Sequence, residues 1–394
     1  MAAYAVLALA YVMSQFFRAF LAVLTPVLTS ELGMTKPELG LASGMFFITF
    51  ALMQFTVGLM LDRRGPRFAA GMLFPLFAGG GALLFALAQS GPMVIAAMGL
   101  IGIGCSPVLM ASYYLFAKTG SPARFAMFTT GMLAFGTLGN VAGTSPLAYC
   151  AEAFGWRVSI AALGLVTLPI AAGIWLFIKP QSQSAAIKGS GYGGYVTLLR
   201  LPVLWPMFPL LAFAYLPPAG IRGLWAGPYL TETFGADSIA IGSVTFFMAL
   251  SMALGSFLYG PLEKLAGTLK WVILGGNAVQ VLMLLWLALA PPDSVFSTGA
   301  LFSAIGMLGM TYGLQMAQGR AFLTPDLLGR GVTLMNFFNI VGIGIMQVAG
   351  GTILELVGSK GGQEAFTSLF LIYALLVTAS VAVFAVSKDA PRLR

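Results

Sequence analysis

The stretch Gly58-Leu59-Met60-Leu61-Asp62-Arg63-Arg64-Gly65-Pro66-Arg67 concentrates charge in a chain that has little of it. It holds three arginines, an aspartate and two glycines, whereas only 8% of all residues are Asp, Glu, Lys or Arg. Long apolar runs flank it on both sides. Charge this dense between apolar runs is typical of a short loop on the cytoplasmic face of a membrane, where Lys and Arg accumulate.

The composition of the whole chain is that of a polytopic membrane protein. Its mean hydropathy is +0.93 and 59% of its residues are hydrophobic, whereas a soluble domain carries roughly a quarter charged residues. The first apolar run begins at Tyr4 and is too long for a signal-peptide core, so we expect no segment to be removed.

Several classes of function are disfavoured by what the sequence lacks. There is no histidine, and Cys105 and Cys150 lie inside apolar segments, so neither a metal site nor a disulfide framework is expected. No phosphate-binding loop of the Gly-x-x-x-x-Gly-Lys type is present. The net charge of +8 is carried by short loops between apolar runs, which does not favour a nucleic-acid partner. We therefore predict a protein that is not an enzyme and needs no cofactor.

The predicted fold class is all-α, with twelve transmembrane helices in two pseudo-symmetric halves of six. A bilayer core needs about 20 apolar residues per helix. Residues 179–200, which contain Gln-Ser-Gln-Ser and Gly-Ser-Gly-Tyr-Gly-Gly, are interpreted as a flexible cytoplasmic linker between halves at 1–178 and 201–394. The helices are predicted near 4–28, 39–61, 68–88, 92–117, 125–150, 158–178, 201–231, 238–262, 270–290, 295–319, 330–354 and 364–386.

The distribution of Lys and Arg predicts the orientation of these helices. Of 20 such residues, only Lys36, Arg157 and Lys360 fall in loops predicted to lie outside. Arg18 and Arg222 fall within helices, and the other fifteen fall in cytoplasmic segments if the N-terminus is inside. We therefore expect a multi-pass protein of the plasma membrane or bacterial inner membrane with both termini in the cytoplasm.

The two halves repeat one another. The sequence Pro-Val-Leu-Thr-Ser-Glu-Leu-Gly at 26–33 matches Pro-Tyr-Leu-Thr-Glu-Thr-Phe-Gly at 228–235, with an offset of 202 residues. Such duplication is typical of transporters built from parallel six-helix repeats, whose substrate site lies between the repeats near the bilayer midplane.

The spacing Gly-x-x-x-Asp-Arg-x-Gly-x-Arg in the 58–67 stretch resembles the signature loop between the second and third helices of major facilitator superfamily transporters. In that family the loop acts as a cytoplasmic gate. The resemblance implies that Asp62, Arg63 and Arg67 hold the cytoplasmic side closed in one state and release it in another. The alternative is an ordinary positively charged loop. The complete set of predicted gating residues is Gly58, Asp62, Arg63, Gly65, Arg67 and Arg124.

Arg18, near the middle of the first helix, is the principal candidate for substrate binding. An ionisable residue inside a membrane helix is costly and is a functional candidate by default. Gln15 lies one turn earlier and Tyr11 two turns earlier, and they form a polar stripe with Arg18. No acidic residue lies deep in a predicted helix to neutralise the charge, so an anion is the expected partner. The alternative is a structural role, in which Arg18 binds carbonyls or lines a water-filled cavity.

Arg222 and Trp225 are the corresponding candidates in the seventh helix. Arg222 follows the helix-breaking Pro217 and Pro218, which could rotate it inward. The rival interpretation is an arginine that extends to the outer membrane surface. On the offset of 202, Arg222 corresponds to Phe20 and not to Arg18, so a symmetric clamp is not established.

The position of Arg18, eight residues before Pro26, resembles the first helix of the organophosphate:phosphate antiporters and the wider anion-transporting branch of the superfamily. Arg222 departs from that pattern by about one turn, which leaves phosphate specificity open. The motifs of proton-driven drug exporters match less well. Further predicted substrate-binding residues, each of which could instead serve helix packing, are Tyr113, Tyr114, Asn140, Tyr312, Gln315, Asn336 and Asn339.

The predicted function is secondary transport of a small organic or phosphorylated anion by alternating access. One alternative is an exporter of drug-like or amphipathic compounds, and a second is a membrane ligand sensor that does not transport. The expected partners are an anionic small-molecule substrate and the lipid bilayer, and the expected state is a monomer. Because the chain has no histidine and its acids fall at helix ends, exchange or facilitated diffusion is expected over proton symport.

Overall fold

A computed structural model describes residues 2–117, 122–180, 193–324, 327–357 and 362–390. The chain divides into two compact units, Met1–Ser190 and Gly191–Arg394. The described residues form helices and connecting turns, without a strand among them.

The described residues of the N-terminal unit form eight helices and one π-helical turn at Phe74–Gly79. The helices are α1 (Ala2–Phe16), α2 (Leu21–Leu32), α3 (Lys36–Leu73), α4 (Gly80–Ala86), α5 (Gly91–Ala117), α6 (Pro122–Ala142), α7 (Ser145–Phe154) and α8 (Trp156–Phe177).

Helix α3 contains the first membrane span and the beginning of the second, which are joined at the 58–67 stretch. It begins with a capping box, in which Thr35 and Glu38 satisfy each other's backbone N–H groups. At Gly65 the backbone leaves the helical region, with φ 76° and ψ 174°. This conformation is essentially restricted to glycine. The change of direction separates the spans Lys36–Leu61 and Arg63–Ala86, as the sequence predicted.

In the C-terminal unit, the part of the chain that the structure describes forms ten helices, a 3₁₀ turn at Pro202–Leu204 and a π-helical turn at Ile221–Trp225. The helices are α9 (Gly193–Leu199), α10 (Met207–Phe213), α11 (Leu216–Gly220), α12 (Ala226–Phe234), α13 (Ser238–Ala266), α14 (Leu269–Leu289), α15 (Val295–Leu308), α16 (Tyr312–Arg320), α17 (Leu328–Val357) and α18 (Gly362–Ala385).

The short helix α9 lies inside the segment 179–200 that the sequence predicted to be a flexible linker. Its Leu198 is completely buried, in a hydrophobic cluster with Leu204, Met207 and Leu334. Burial of an apolar side chain stabilises the helix that carries it. The prediction of flexibility therefore does not hold for Gly193–Leu199, and 181–192 lie outside the described residues.

Helices occupy all twelve predicted apolar segments. Within the described ranges, ten helices are long and apolar enough to cross a membrane. The number is eleven if α1 and α2, which meet at an angle of 48°, form one bent span. The predicted segment 125–150 is occupied by α6 and α7, which are separated at Gly143 and Thr144. The prediction of an all-α polytopic membrane protein is confirmed.

Candidate functional site

The 58–67 stretch places its arginines in different environments. Arg63 and Arg64 are exposed. The guanidinium carbon of Arg64 lies 4.5 Å from the centre of the Phe68 ring. Arg67 is partly buried, and its guanidinium carbon lies 4.8 Å from the Trp175 ring of α8. A cation over an aromatic face is stabilised by about 0.5–2 kcal/mol, depending on its exposure.

Trp175 also connects α8 to the helix that follows the stretch. Its Nε1 donates a hydrogen bond of 2.9 Å to the carbonyl of Gly71. A Cβ atom at position 71 would lie 2.8 Å from this nitrogen, so glycine permits the approach. Within the N-terminal unit, Arg67 thus contacts the face of the Trp175 indole, and the Gly71 carbonyl accepts a hydrogen bond at its edge. The sequence predicted a gating role for Arg67 but did not reveal Trp175 as its partner.

No side-chain contact is described for the predicted gating residues Asp62, Arg124 and Gly58. The side chains of Asp62 and Arg124 lie outside the described part of the chain. Gly58 is helical, and no described atom lies within 4 Å of the position that its Cβ would occupy. Local packing therefore does not require glycine at 58, whereas the backbone conformation requires it at 65.

Arg18 lies on an irregular turn, 17–20, between α1 and α2. Its amide donates to the carbonyl of Gln15, three residues earlier, in place of the usual helical bond. The guanidinium carbon lies 4.5 Å from the centre of the Phe50 ring. Its Nε is buried and has no hydrogen-bond partner in the described ranges. An arginine in this state retains donors that an anion could accept.

Tyr11 and Gln15 lie on α1 before this turn and contact each other. The Gln15 Nε2 donates a hydrogen bond of 3.0 Å to the Tyr11 hydroxyl. Tyr11 is buried against Gly136 of α6, where a Cβ would overlap its ring. Tyr113, Tyr114 and Asn140 are partly buried on α5 and α6.

The seventh span, Pro202–Phe234, leaves the regular α-helix at 202–206, at 214–215 and in the π-helical turn Ile221–Trp225, and the last two places lie near Arg222. Proline has no N–H, so Pro218 leaves the carbonyl of Ala214 without its helical donor. Side-chain amides from neighbouring helices donate to three carbonyls of this span. Gln280 Nε2 donates to Ala214 at 3.3 Å. Asn339 Nδ2 donates to Leu211 at 3.1 Å, and Gln347 Nε2 donates to Gly220 at 3.4 Å. An unpaired backbone carbonyl is expensive in a bilayer, which accounts for the contact at Ala214.

Arg222 and Trp225 lie in the π-helical turn and are buried. Arg222 is 4% exposed and therefore does not reach the surface. Trp225 has no exposed surface, and its Cζ2 lies 3.0 Å from the position of a Cβ on Gly350. The structure thus gives the Trp225 indole a packing contact with α17. Asn339 likewise uses its amide on the Leu211 carbonyl, a role that sequence did not reveal.

The candidates of the tenth and eleventh spans are brought together in pairs. The Tyr312 hydroxyl donates to Asn336 Oδ1 at 2.8 Å. Gln315 is buried, and its Nε2 lies 2.9 Å from the Thr311 hydroxyl. Sequence reasoning missed Asn277, Gln280 and Gln347. The signal that could have revealed them is an amide within an otherwise apolar span, where each such side chain needs a partner.

Three comparisons with known proteins agree with this architecture. The chain is 22% identical over 346 residues to the membrane sensor protein UhpC of Salmonella typhimurium, covering 80% of this chain and 72% of that protein. It is 25% identical over 324 residues to the hexuronate transporter of Bacillus subtilis, covering 77% and 72%. The solved structure of a D-xylose-proton symporter matches with a TM-score of 0.79 at 12% identity, covering 99% of this chain and 98% of that chain.

The family profile described as Major Facilitator Superfamily matches residues 7–225. This match includes the whole 58–67 stretch, Arg18 and Arg222. It covers more than half of the chain, and the all-α fold with the break at Gly65 agrees with it. The chain therefore belongs to the Major Facilitator Superfamily.

Proposed function

We propose that this protein is a secondary transporter of a small organic or phosphorylated anion that works by alternating access. The observation that carries the proposal is the environment of Arg18. Its guanidinium lies on a broken membrane span against Phe50, and its Nε is buried without a hydrogen-bond partner in the described ranges. A charge held in this position at a cost to stability is typical of a ligand-binding residue.

The chemistry of the guanidinium favours an anion with two oxygen atoms. Its planar fork donates two parallel hydrogen bonds to a carboxylate or phosphate, which lysine cannot do. The B. subtilis relative is named as a transporter of hexuronate. This name supports a carboxylated substrate class, and the choice between carboxylate and phosphate is left to the experiment.

The test begins with a thermal-shift screen of the purified protein against sugar acids, sugar phosphates and amphipathic drug-like compounds. Stabilising anions are then assayed for uptake into proteoliposomes. Arg18→Lys is expected to abolish both stabilisation and uptake while the protein remains folded and inserted. Arg64→Lys is the matched control, because Arg64 also lies 4.5 Å from a phenylalanine ring but is exposed. Full uptake by Arg18→Lys, or stabilisation by drug-like compounds alone, would contradict the proposal.

For coupling, we infer exchange or facilitated diffusion in preference to proton symport through a buried carboxylate. Glu31, Glu152, Glu232 and Glu355 are all exposed in the structure. Glu31 is moreover occupied by an ion pair with Arg157 and by a hydrogen bond of 3.1 Å from the Trp156 indole. A proton carrier needs a group in the pathway that titrates between states. Uptake driven by a pH gradient and lost in Glu152→Gln or Glu355→Gln, without an effect of internal counter-substrate, would refute this inference.

A second candidate function is ligand sensing without transport, because one relative is named as a membrane sensor protein. A sensor would bind the same anion through Arg18 but would not move it. The distinguishing result is a protein that an anion stabilises strongly, through Arg18, while reconstituted vesicles show no uptake or exchange of that anion.

For the membrane arrangement, we propose a multi-pass protein of the inner membrane with both termini in the cytoplasm. The supporting observation is the concentration of Lys and Arg in the loops assigned to that side. Lys388→Cys and Lys36→Cys, each made in a chain whose Cys105 and Cys150 are replaced by serine, test it. A membrane-impermeant thiol reagent applied to intact cells is expected to label the second position only.

A further inference from the structure

The tenth span is interrupted within the C-terminal unit, between α15 and α16. Helix α15 ends at Leu308 and α16 begins at Tyr312, within the span Val295–Arg320. At the interruption, the Met310 amide donates to the carbonyl of Met307, three residues earlier, at 3.4 Å. A short stretch with this tighter pattern inside a helical span often marks a hinge. The nine residues of α16 are therefore the part of the span whose angle can change, unless other contacts fix them.

The far end of α16 is fixed by Gln318, whose side chain has no exposed surface. Its Nε2 donates a hydrogen bond of 2.7 Å to the carbonyl of Lys388, and its Oε1 accepts one of 3.1 Å from the amide of Ala390. Both partners belong to the non-helical segment Ser387–Ala390, which follows α18. One amide side chain thus uses its donor and its acceptor on the same stretch of backbone, which attaches that stretch to α16.

The same segment is also attached to the beginning of α14. The Asp389 carboxylate accepts hydrogen bonds from the Thr268 hydroxyl and from the Lys270 amide, the latter at 3.1 Å. Lys270 Nζ in turn donates to the Ser387 carbonyl at 2.7 Å. Thr268 is the N-cap of α14, where N–H groups lack helical partners and the helix dipole favours an anion. Asp389 therefore caps α14 from outside that helix. The latch is defined as the segment Ser387–Ala390 with the three side chains that bind it, Thr268, Lys270 and Gln318.

The N-terminal unit has a related contact that is built differently. Arg67 lies near the start of the span Arg63–Ala86, and Lys270 follows it by 203 residues, close to the repeat offset of 202. Arg67 stacks on Trp175, a side chain of α8, whereas Lys270 binds backbone beyond the end of α18. A segment outside a helix can detach without unfolding the helix before it. The C-terminal unit therefore carries the detachable form of this contact.

We propose that the latch fixes α16 against α14 in this conformation, and that α16 tilts about residues 309–311 when the latch opens. Lys388 and Asp389 are exposed, so water competes for the groups that they contribute. The latch is therefore weak enough to open in the folded protein, and its closed fraction determines how often the tenth span changes its angle. It involves neither Arg18 nor the anion, so it goes beyond the proposed transport function and is tested without a substrate.

The first experiment measures the distance between α16 and α14 in the purified full-length protein. Nitroxide labels are attached to Arg320→Cys, at the exposed end of α16, and to Leu282→Cys, at a position of α14 that is 59% exposed. The chain that carries them has Cys105 and Cys150 replaced by serine. Double electron–electron resonance then gives the distribution of label-to-label distances. We expect one dominant peak when the latch is intact.

Two variants open the latch from its two sides. Asp389→Ala removes the bonds to Thr268 and Lys270 at an exposed position, so the protein should still fold. Gln318→Leu removes both bonds from α16. Each is expected to add a second, displaced peak, because losing two hydrogen bonds shifts the ratio of open to closed latch by roughly tenfold or more. Ser387→Ala is the matched control, because the Ser387 hydroxyl is buried without a hydrogen-bond partner in the described ranges and only its carbonyl takes part in the latch.

Hydrogen exchange followed by mass spectrometry gives a second measurement that needs no label. Peptides covering residues 309–320 should exchange roughly tenfold faster in Asp389→Ala than in the wild type, and peptides of the N-terminal unit should not change. Wild-type distances and wild-type exchange in Asp389→Ala would overturn the proposal. Equal changes in Ser387→Ala and Asp389→Ala would also overturn it, since any substitution in the segment would then have the same effect. A change in Gln318→Leu alone would assign Gln318 to the packing of α16 and would exclude a latch.

Discussion

Gly65→Ala is expected to destabilise the N-terminal unit, although Gly58→Ala, seven residues earlier in the same charged stretch, is not. Gly65 has φ 76° and ψ 174°. An L-residue held there carries strain of about 1–3 kcal/mol. Gly58 is helical, with open space where a Cβ atom would lie. Alanine is favoured over glycine in a helix interior by about 1 kcal/mol, so Gly58→Ala should be neutral or slightly stabilising.

These energies translate into measurable shifts. A loss of about 1–3 kcal/mol lowers the folding equilibrium constant by roughly 5- to 150-fold. For a cooperative unit of this size, each kcal/mol corresponds to roughly 2–4 °C, so Gly65→Ala should melt about 2–12 °C below the wild type. The assay is thermal unfolding of purified protein in one detergent, followed by tryptophan fluorescence, for the wild type and both variants.

Gly65→Asn sharpens the experiment. Asparagine tolerates the left-handed helical region but not an extended ψ at positive φ, so it should not restore stability. A wild-type melting temperature for Gly65→Ala would refute the strain argument. An equal fall in melting temperature for Gly58→Ala and Gly65→Ala would also refute it, because only position 65 has the backbone conformation that strains an alanine.

Three further predictions follow from the same helices. Trp175→Phe keeps a ring beside Arg67 but removes the hydrogen bond to Gly71, and should lower stability by about 1 kcal/mol in the same melting assay; an unchanged melting temperature would exclude the bond. Asp62→Asn should slow turnover more than it weakens substrate binding, as uptake rates and thermal shifts would show, and a proportional loss of both would contradict a gating role. Gly139→Val should prevent folding or lower its yield strongly, since even a Cβ at 139 would overlap the Val12 carbonyl of α1, and normal yield on size-exclusion chromatography would show that α6 can move away.

The membrane spans and their polar loops were predictable because they depend on local properties of the chain. A run of apolar residues long enough to cross a bilayer is visible in the sequence, whatever surrounds it. The turn at 58–67 was predictable for the same reason, since its charges and glycines are contiguous. The bent first span near Arg18 was not predicted, because neither proline nor glycine marks residues 17–20.

The candidate site was only partly predictable, because polar side chains in a membrane choose partners from other helices. Sequence singled out Tyr312, Asn336 and Gln15 as polar residues, and the structure adds that Tyr312 binds Asn336 and that Gln15 binds Tyr11. The sequence could not show that Asn339 and Gln280 each donate a hydrogen bond to a carbonyl of the seventh span.

The sequence by itself determined that this is an all-α membrane protein of twelve apolar segments with a charged loop at 58–67. It did so because hydropathy, charge and backbone restrictions act over a few neighbouring residues. Only the tertiary structure decided that Arg67 stacks on Trp175, 108 residues away along the chain, and that Asn277 and Gln280 meet the break before Tyr312. These contacts depend on which helix faces are brought together, and that is set by packing across whole spans.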